Sequence, residues 1–318
     1  FRISFAGGGS DLKSYYKDNT GSVLSVAIKK YIYIVVHPFF QQQKVQLKYS
    51  KTELVSDLNQ IQHPIFREVM LSENLYGVDI NSIADIPSGT GLGSSSSFTV
   101  GLLNAIYSFK GSLITQKELA EKACDIEIEK LLTPIGKQDQ YAAAFGGINN
   151  FKFYGDESVE VNKVSISSKI QKKLECNLFL VFTGQSRSAS TILNKQSKLM
   201  KDKEKNGNVL KMTQLSDKLQ YILEGNKSLD DFGYYLNQGW ELKKSLLSDI
   251  TNSLVDNIYK EGLAAGALGG KLLGAGNGGF ILFYCPEPKH LAFKSKMKDY
   301  LVIDVEFDST GSKVIYQN

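Results

Sequence analysis

The sequence predicts two α+β domains, and three observations lead there. The chain has 318 residues, of which 42% are hydrophobic; a single domain typically takes roughly 100–200 residues, and that apolar content supports a sizeable core. The order of segments in the first half is strands, helix, strand, helices, strand, which is not regular βαβ alternation. The character then changes near Tyr154: one strand is followed by long lysine-rich helical segments and then by a final group of strands. The division is drawn at 1–160 and 161–318.

Taken in order, residues 2–5 predict a short strand running into Gly7-Gly8-Gly9, and residues 23–26 and 31–37 predict two more. Val45, Leu47 and Tyr49 alternate with polar residues, the pattern of a half-buried strand. A helix is expected over 64–76 and a strand over 78–83. A turn rich in glycine and serine follows at 87–97. Helices are expected over 96–109, 115–131 and 138–145, then a strand over 148–153. In the second half, 178–182 predicts a strand, and 188–201, 209–223 and 229–247 predict helices. The polar run 201–208 reads as a mobile loop. Strands are expected at 271–273, 279–284 and 302–307, with a helix near 289–298. No internal repeat is visible.

Composition excludes several classes. Net charge is +4, from 37 basic and 33 acidic residues, too small an excess to imply nucleic acid. Cys124, Cys176 and Cys285 stand far apart, so neither a zinc site nor a disulfide framework is indicated, and the reduced cytoplasm is the expected setting. No apolar run approaches the length of a membrane span, and no signal peptide is visible. His37, His63 and His290 show no metal spacing, and no G-x-S-x-G elbow is present. Arginine occurs only at positions 2, 67 and 187, so an arginine inside a motif stands out.

The strongest motif is Pro87-Ser-Gly-Thr-Gly-Leu-Gly-Ser-Ser-Ser-Ser97, between a strand and an apolar helix. Its glycines let the backbone turn tightly and point N–H groups inward. Its serines can cap the helix, and the helix N-terminus adds partial positive charge. Pro87, Ser88, Gly89, Gly91, Leu92, Gly93, Ser94, Ser95 and Ser96 thus read as an anion cradle suited to phosphates. No Gly-Lys-Ser/Thr ends the loop, so it is not a Walker motif; a flexible turn with a serine cap is the bland alternative.

Two acids come next. Glu127 shares a helical stripe with Ala120, Cys124 and Leu131, whereas Glu129 falls with Lys122 and Asp125 on the solvent face. A carboxylate on an apolar stripe must be paired, protonated or bound to a cation, and Mg²⁺ with nucleotide phosphates would suit it. Asp139, after Gly136-Lys137-Gln138, could orient a substrate hydroxyl or take its proton. The competing readings are a lysine partner for Glu127 and a helix-capping role for Asp139.

Three weaker signals remain. Arg2-Ile-Ser-Phe-Ala-Gly-Gly-Gly-Ser-Asp11 could bring backbone close to a polyhydroxylated ligand, through Gly8, Gly9, Ser10 and the acceptor Asp11. Gly274-Ala-Gly-Asn-Gly-Gly279 matches G-x-G-x-x-G, but a strand follows where a dinucleotide site needs a helix; a glycine turn packed against a ligand or another loop is the better reading, with Gly276 and Asn277 as candidate substrate contacts. Thr183-Gly-Gln-Ser-Arg187-Ser188 sets an arginine among hydroxyls after a strand, where Arg187 and Ser188 could hold a phosphate or simply face solvent.

Together these segments resemble the GHMP kinases, a superfamily of small-molecule kinases with three ordered signatures. Arg2–Asp11 looks like the first, Pro87–Ser97 like the second and Lys271–Gly279 like the third, so the resemblance spans nearly the whole chain. Arg2–Asp11 together with Gly136-Lys-Gln-Asp-Gln-Tyr-Ala-Ala-Ala-Phe-Gly-Gly147 is similar to the bacterial D-glycero-D-manno-heptose 7-phosphate kinases. The resemblance implies an N-terminal domain like domain 2 of ribosomal protein S5, a ferredoxin-like C-terminal domain, and ATP and substrate in the cleft between them. It implies ATP and Mg²⁺ as cofactors and a sugar phosphate as substrate, phosphorylated on its anomeric hydroxyl on the way to surface glycans; a homodimer is compatible with it. By motif position Glu127 and a loop serine, Ser95 first, would hold Mg²⁺. Asp139 would be the catalytic carboxylate, with Lys137 and Arg2 offsetting charge. The last serines of the loop depart from a common alanine, which leaves the metal-binding hydroxyl open among them. A kinase for fucose or another sugar, a mevalonate-type kinase or decarboxylase, and a catalytically dead sugar sensor are the alternatives.

Overall fold

A computed structural model of the protein describes residues 1–186, 190–199 and 202–317. Among the described residues, three four-stranded sheets carry the fold. The first is antiparallel, in spatial order β1 (Arg2–Ala6), β2 (Gly21–Ala27), β7 (Ile148–Phe153) and β8 (Val159–Lys163). The second runs β3 (Ile32–Pro38), β6 (Val78–Ala84), β4 (Val45–Lys48), β5 (Thr52–Val55), with β4 and β6 parallel. The third runs β10 (Gly269–Leu272), β11 (Phe280–Tyr284), β9 (Leu178–Phe182), β12 (Val302–Asp304), all antiparallel. The helices are α1 (Lys13–Tyr16), α2 (Pro64–Glu73), α3 (Ser94–Phe109), α4 (Gln116–Cys124), α5 (Gln138–Phe145), α6 (Ser168–Asn177), α7 (Ser190–Leu199), α8 (Lys203–Leu223), α9 (Asp230–Lys244), α10 (Ser253–Ala264) and α11 (His290–Lys296).

The third sheet has the βαββαβ order of a ferredoxin-like unit: β9, helices, β10 and β11, then α11 and β12, with β9 in the middle beside β11 and β12. Every residue of β2 is buried, because α5 packs on one face of its sheet and α8 on the other. One apolar core joins Ile3, Phe5, Leu24 and Val26 of the first sheet to Leu215 and Leu219 of α8 and to Leu180 and Leu282 of the third. The halves are therefore glued by a shared core rather than a linker.

The structure corrects several expectations. The polar run 201–208 is helical from Lys203 onward, because the Asp202 carboxylate accepts from the N–H groups of Glu204 (2.9 Å) and Lys205 (3.2 Å) and caps α8. The expected helix over 115–131 is α-helical only to Cys124; residues Asp125–Lys130 form a π-helical turn, with Leu131 N–H bonding the Ile126 carbonyl. The division at 160/161 falls inside β8, whose pairing with β7 keeps it with the first half as far as Lys163. The strand expected over 302–307 ends at Asp304.

Candidate active site

A cleft of about 710 Å³ opens where β1, α3, α5, α9 and β10 meet. Its floor is the glycine–serine loop. Gly89, Gly91 and Gly93 have φ of 76°, 87° and 75°, a region that a side chain rarely enters. Gly93 caps α3, so the first-turn N–H groups of a 16-residue helix face the cleft. Space forbids a side chain at Gly91 as well: a Cβ there would lie 2.5 Å from the Leu273 carbonyl oxygen. The second glycine segment, 274–279, packs directly on this loop, with Phe280 N–H donating to the Thr90 carbonyl (3.1 Å).

Strand β1 fixes the acids. The Arg2 guanidinium, 5% exposed, gives Nε and Nη2 to the two carboxylate oxygens of Asp139 at 2.7 and 2.8 Å and Nη1 to the Gly91 carbonyl at 2.6 Å. This bidentate pair sets the orientation of Asp139 against the loop. Asp139 lies in the first turn of α5, yet no side chain caps that helix; the capping reading is replaced by the pair with Arg2. Its side chain stays 24% exposed on the cleft.

Glu127 is buried and has no lysine partner among the described residues. Ser95 Oγ donates to its Oε1 (2.5 Å) and Gln140 Nε2 to its Oε2 (2.8 Å). Burial pushes its carboxyl above the usual carboxylate range, while bonds from Ser95, Ser96 and Gln140 pull the other way. A buried carboxylate touching a serine hydroxyl at a helix N-terminus fits the donor set of Mg²⁺, which takes one or two protein oxygens and completes its shell with phosphate and water. No group of three His, Cys, Asp or Glu suited to a metal occurs among the described residues.

On the other side of Arg2, Gly8, Gly9 and Asp11 line the cleft. Asp11 is buried; its Oδ1 accepts from Gly9 N–H (2.9 Å) and its Oδ2 from Gln138 Nε2 (2.9 Å), and burial followed by the Asp139 charge raises its pKa. Ser4 Oγ and Gln138 Oε1, both buried on residues lining the cleft, have no hydrogen-bond partner among the described residues. Gln196 of α7 covers this turn so closely that a Cβ on Gly9 would fall 2.1 Å from its Nε2. At the far end the walls are Ile32, Tyr49, His63, Ile65 and Phe98.

Not every expected residue reaches the cleft. Lys137 Nζ turns away to the Glu157 carboxylate (2.5 Å) and carbonyl (2.9 Å) and lies over the Tyr16 ring. The Ser10 hydroxyl is spent on the Ser22 backbone. Leu92 is buried in the core beneath the loop. Pro87 is exposed beside the loop, its carbonyl accepting from Thr90 Oγ1. Gly276 lines the cleft, but the Asn277 side chain accepts from Asn252 Nδ2 (2.7 Å) instead. Arg187 and Ser188 lie outside the described residues. Two residues that the motifs did not single out do line the cleft: Lys243 of α9 and Lys271 of β10, both buried.

Residues 59–147 match the GHMP kinases N terminal domain and residues 219–302 the GHMP kinases C terminal domain. Among curated proteins, the chain is 30% identical over 331 residues to a D-glycero-alpha-D-manno-heptose 7-phosphate kinase of Campylobacter jejuni, covering 98% of this chain and 96% of that one. It is 25% identical to the bifunctional fucokinase/GDP-fucose pyrophosphorylase of Arabidopsis thaliana, over 96% of this chain and 31% of that protein. Among solved structures, a D-glycero-D-manno-heptose 1-phosphate kinase from Bacteroides thetaiotaomicron superposes with a TM-score of 0.80 at 24% identity, covering 99% and 97% of the two chains. The chain belongs to the GHMP kinases. It is an ATP-dependent phosphotransferase with an alcohol group as acceptor.

Proposed function

We propose that this kinase transfers the γ-phosphoryl group of ATP to the anomeric hydroxyl of D-glycero-D-manno-heptose 7-phosphate, giving the 1,7-bisphosphate that leads to nucleotide-activated heptose for surface glycans, in the reduced cytoplasm. The observation that carries the reading is the Arg2–Asp139 pair, held against Gly91 and open to the cleft. It sets one carboxylate beside a loop built for phosphates. The heptose assignment is supported by the similarity to the Campylobacter jejuni enzyme along nearly the whole chain.

In this reading the N–H groups of the loop from Gly89 to Ser95 hold the nucleotide phosphates, and the apolar end of the cleft takes the adenine. Ser95 and Glu127 would hold Mg²⁺, which when bound neutralises charge on the β- and γ-phosphates. Asp139 accepts the proton of the sugar hydroxyl as its oxygen bonds to the γ-phosphorus and the bond to the ADP oxygen breaks. Arg2 keeps that carboxylate aimed and offsets negative charge. Phosphoryl transfer has a loose transition state, so positioning and electrostatics outweigh base strength. Gly8, Gly9, Asp11 and the unpartnered Ser4 and Gln138 oxygens offer acceptors and donors to sugar hydroxyls.

The test is a panel of hexoses, heptoses and their terminal phosphates, scored by ADP release, with the position of the new phosphate assigned by NMR. We expect heptose 7-phosphate to have the highest kcat/KM and the phosphate to appear on the anomeric carbon. A higher kcat/KM for fucose or mevalonate, or a product phosphorylated elsewhere, overturns the assignment.

A further inference from the structure

Lys243 and Lys271 are buried on the cleft wall without a carboxylate partner among the described residues. Lys243 donates to the Gly274 carbonyl, and Lys271 Nζ donates to the Phe5 carbonyl at 3.1 Å. An ammonium has three N–H groups, so each of these bonds accounts for one. Their positive charges act on each other and on Arg2, whose own charge is matched by Asp139. Two ammonium groups without an ion-pair partner among the described residues, with the Asp11 charge acting on Lys243 alone, are costly in a desolvated wall unless an anion joins them.

We propose that Lys243 and Lys271 form the subsite that holds the acceptor's own phosphate group; the inference rests on the sugar-phosphate reading above. Lys243, bonded to Gly274 beside Gly91, stands between the nucleotide loop and the Gly8–Gly9 turn, and Lys271 stands on the turn side. Lys271 donates to Phe5, three residues along β1 from Arg2 and toward the Gly8–Gly9 turn. Lys243 feels the charge of Asp11, at the same turn. The nucleotide phosphates already have the α3 N-terminus and the loop N–H groups. Among the described residues lining this end of the cleft, the two ammonium groups are the cationic donors besides Arg2, which Asp139 holds, and a phosphate monoester is the dianion they suit.

The experiment compares wild type with Lys243→Met and Lys271→Met, which keep the apolar stem and remove the charge. D-glycero-D-manno-heptose 7-phosphate and the same heptose without phosphate serve as acceptors. Each variant should raise KM for the 7-phosphate about tenfold to a hundredfold, the worth of a charged hydrogen bond. KM for ATP should move less than about twofold, since uniform binding of the acceptor alone is removed. A wild type that turns over both acceptors equally well overturns the acceptor assignment, and the subsite with it. A wild type that prefers the 7-phosphate, with variants that keep that preference, overturns the lysine subsite alone. A loss expressed in KM for ATP, or in kcat equally for both acceptors, also overturns it. A readout that needs no variant is ¹³Cε NMR titration of lysines in the wild type. Inorganic phosphate should move the low-titrating lysine midpoints upward, and unmoved midpoints count against the subsite.

Discussion

At the scale of single residues, the decisive contrast is between Asp139 and its neighbour Lys137. Both stand in one motif, and sequence proximity suggested that both face the reaction. The chain reverses their roles: Asp139 turns inward to Arg2, while Lys137, at the N-cap of α5, reaches outward to Glu157. Asp139→Asn should lower kcat by roughly 10²–10⁴, the usual worth of a positioned acid or base, with nucleotide affinity retained; single-turnover kinetics and ATP titration separate the two. Normal turnover would remove Asp139 from the chemistry. Glu127 stands out in the sequence because a carboxylate on an apolar helical stripe is anomalous; Asp139 has no such signal and rests on its place after Gly136-Lys137-Gln138. The same rule applied to α9 finds Lys243, which follows Phe232, Leu236 and Trp240 on the buried stripe. Lysine is so common in this chain that one more on a helix carries no compositional signal, only the positional one. Lys271 sits between Gly270 and Leu272 in a wholly buried strand, the strand version of that signal.

At the scale of elements, the glycine–serine loop and α3 act as one unit with the second glycine segment. The pattern of glycines told that the first loop turns tightly and that the third motif packs against a ligand or another loop; which loop it meets came from the structure. Gly91 is where the two meet. Gly91→Ala forces a side chain to φ near 87° and into the Leu273 carbonyl. The strain should cost about 1–3 kcal/mol, read as a lower denaturation midpoint, and KM for ATP should rise more than KM for the acceptor. An unaltered midpoint would show that the loops separate freely. Other elements were illegible for plain reasons. In α6 only Leu174 and Asn177 are buried, so its lysines hide the helical period. The strands β5 and β8 are short and mostly solvent-facing. The π-helical turn at Asp125–Lys130 has no composition signal, yet it carries Glu127 to Ser95 and Gln140.

At the scale of the whole molecule, the cleft gathers charge from parts of the chain that share no local sequence: Arg2 from the first strand, Asp11 and Asp139 from the first half, Lys243 and Lys271 from the second. The shared core through α8 is what brings them together. This convergence makes a pH prediction with a defined sign. Burial first, then the Arg2 charge, lowers the Lys243 pKa to about 8 against 10.5 for a free lysine, with Asp11 opposing. The unfolded chain therefore binds the proton more tightly, so Lys243 destabilises the fold most below pH 8, and that penalty fades as pH rises from about 8 toward 10.5. The stability of wild type relative to Lys243→Met should climb across that window, by at most about 1.4 kcal/mol per pH unit, in denaturant titrations at each pH. Anion binding runs the opposite way. Lys243 loses its charge above pH 8, so KM for the phosphorylated acceptor should rise from pH 8 to 9.5 more steeply in wild type than in the Met variant, which keeps only Lys271. A wild type that gains stability with alkali while it loses grip on its substrate has a lysine held charged for the ligand rather than for the fold; if both quantities move together, Lys243 belongs to the fold alone.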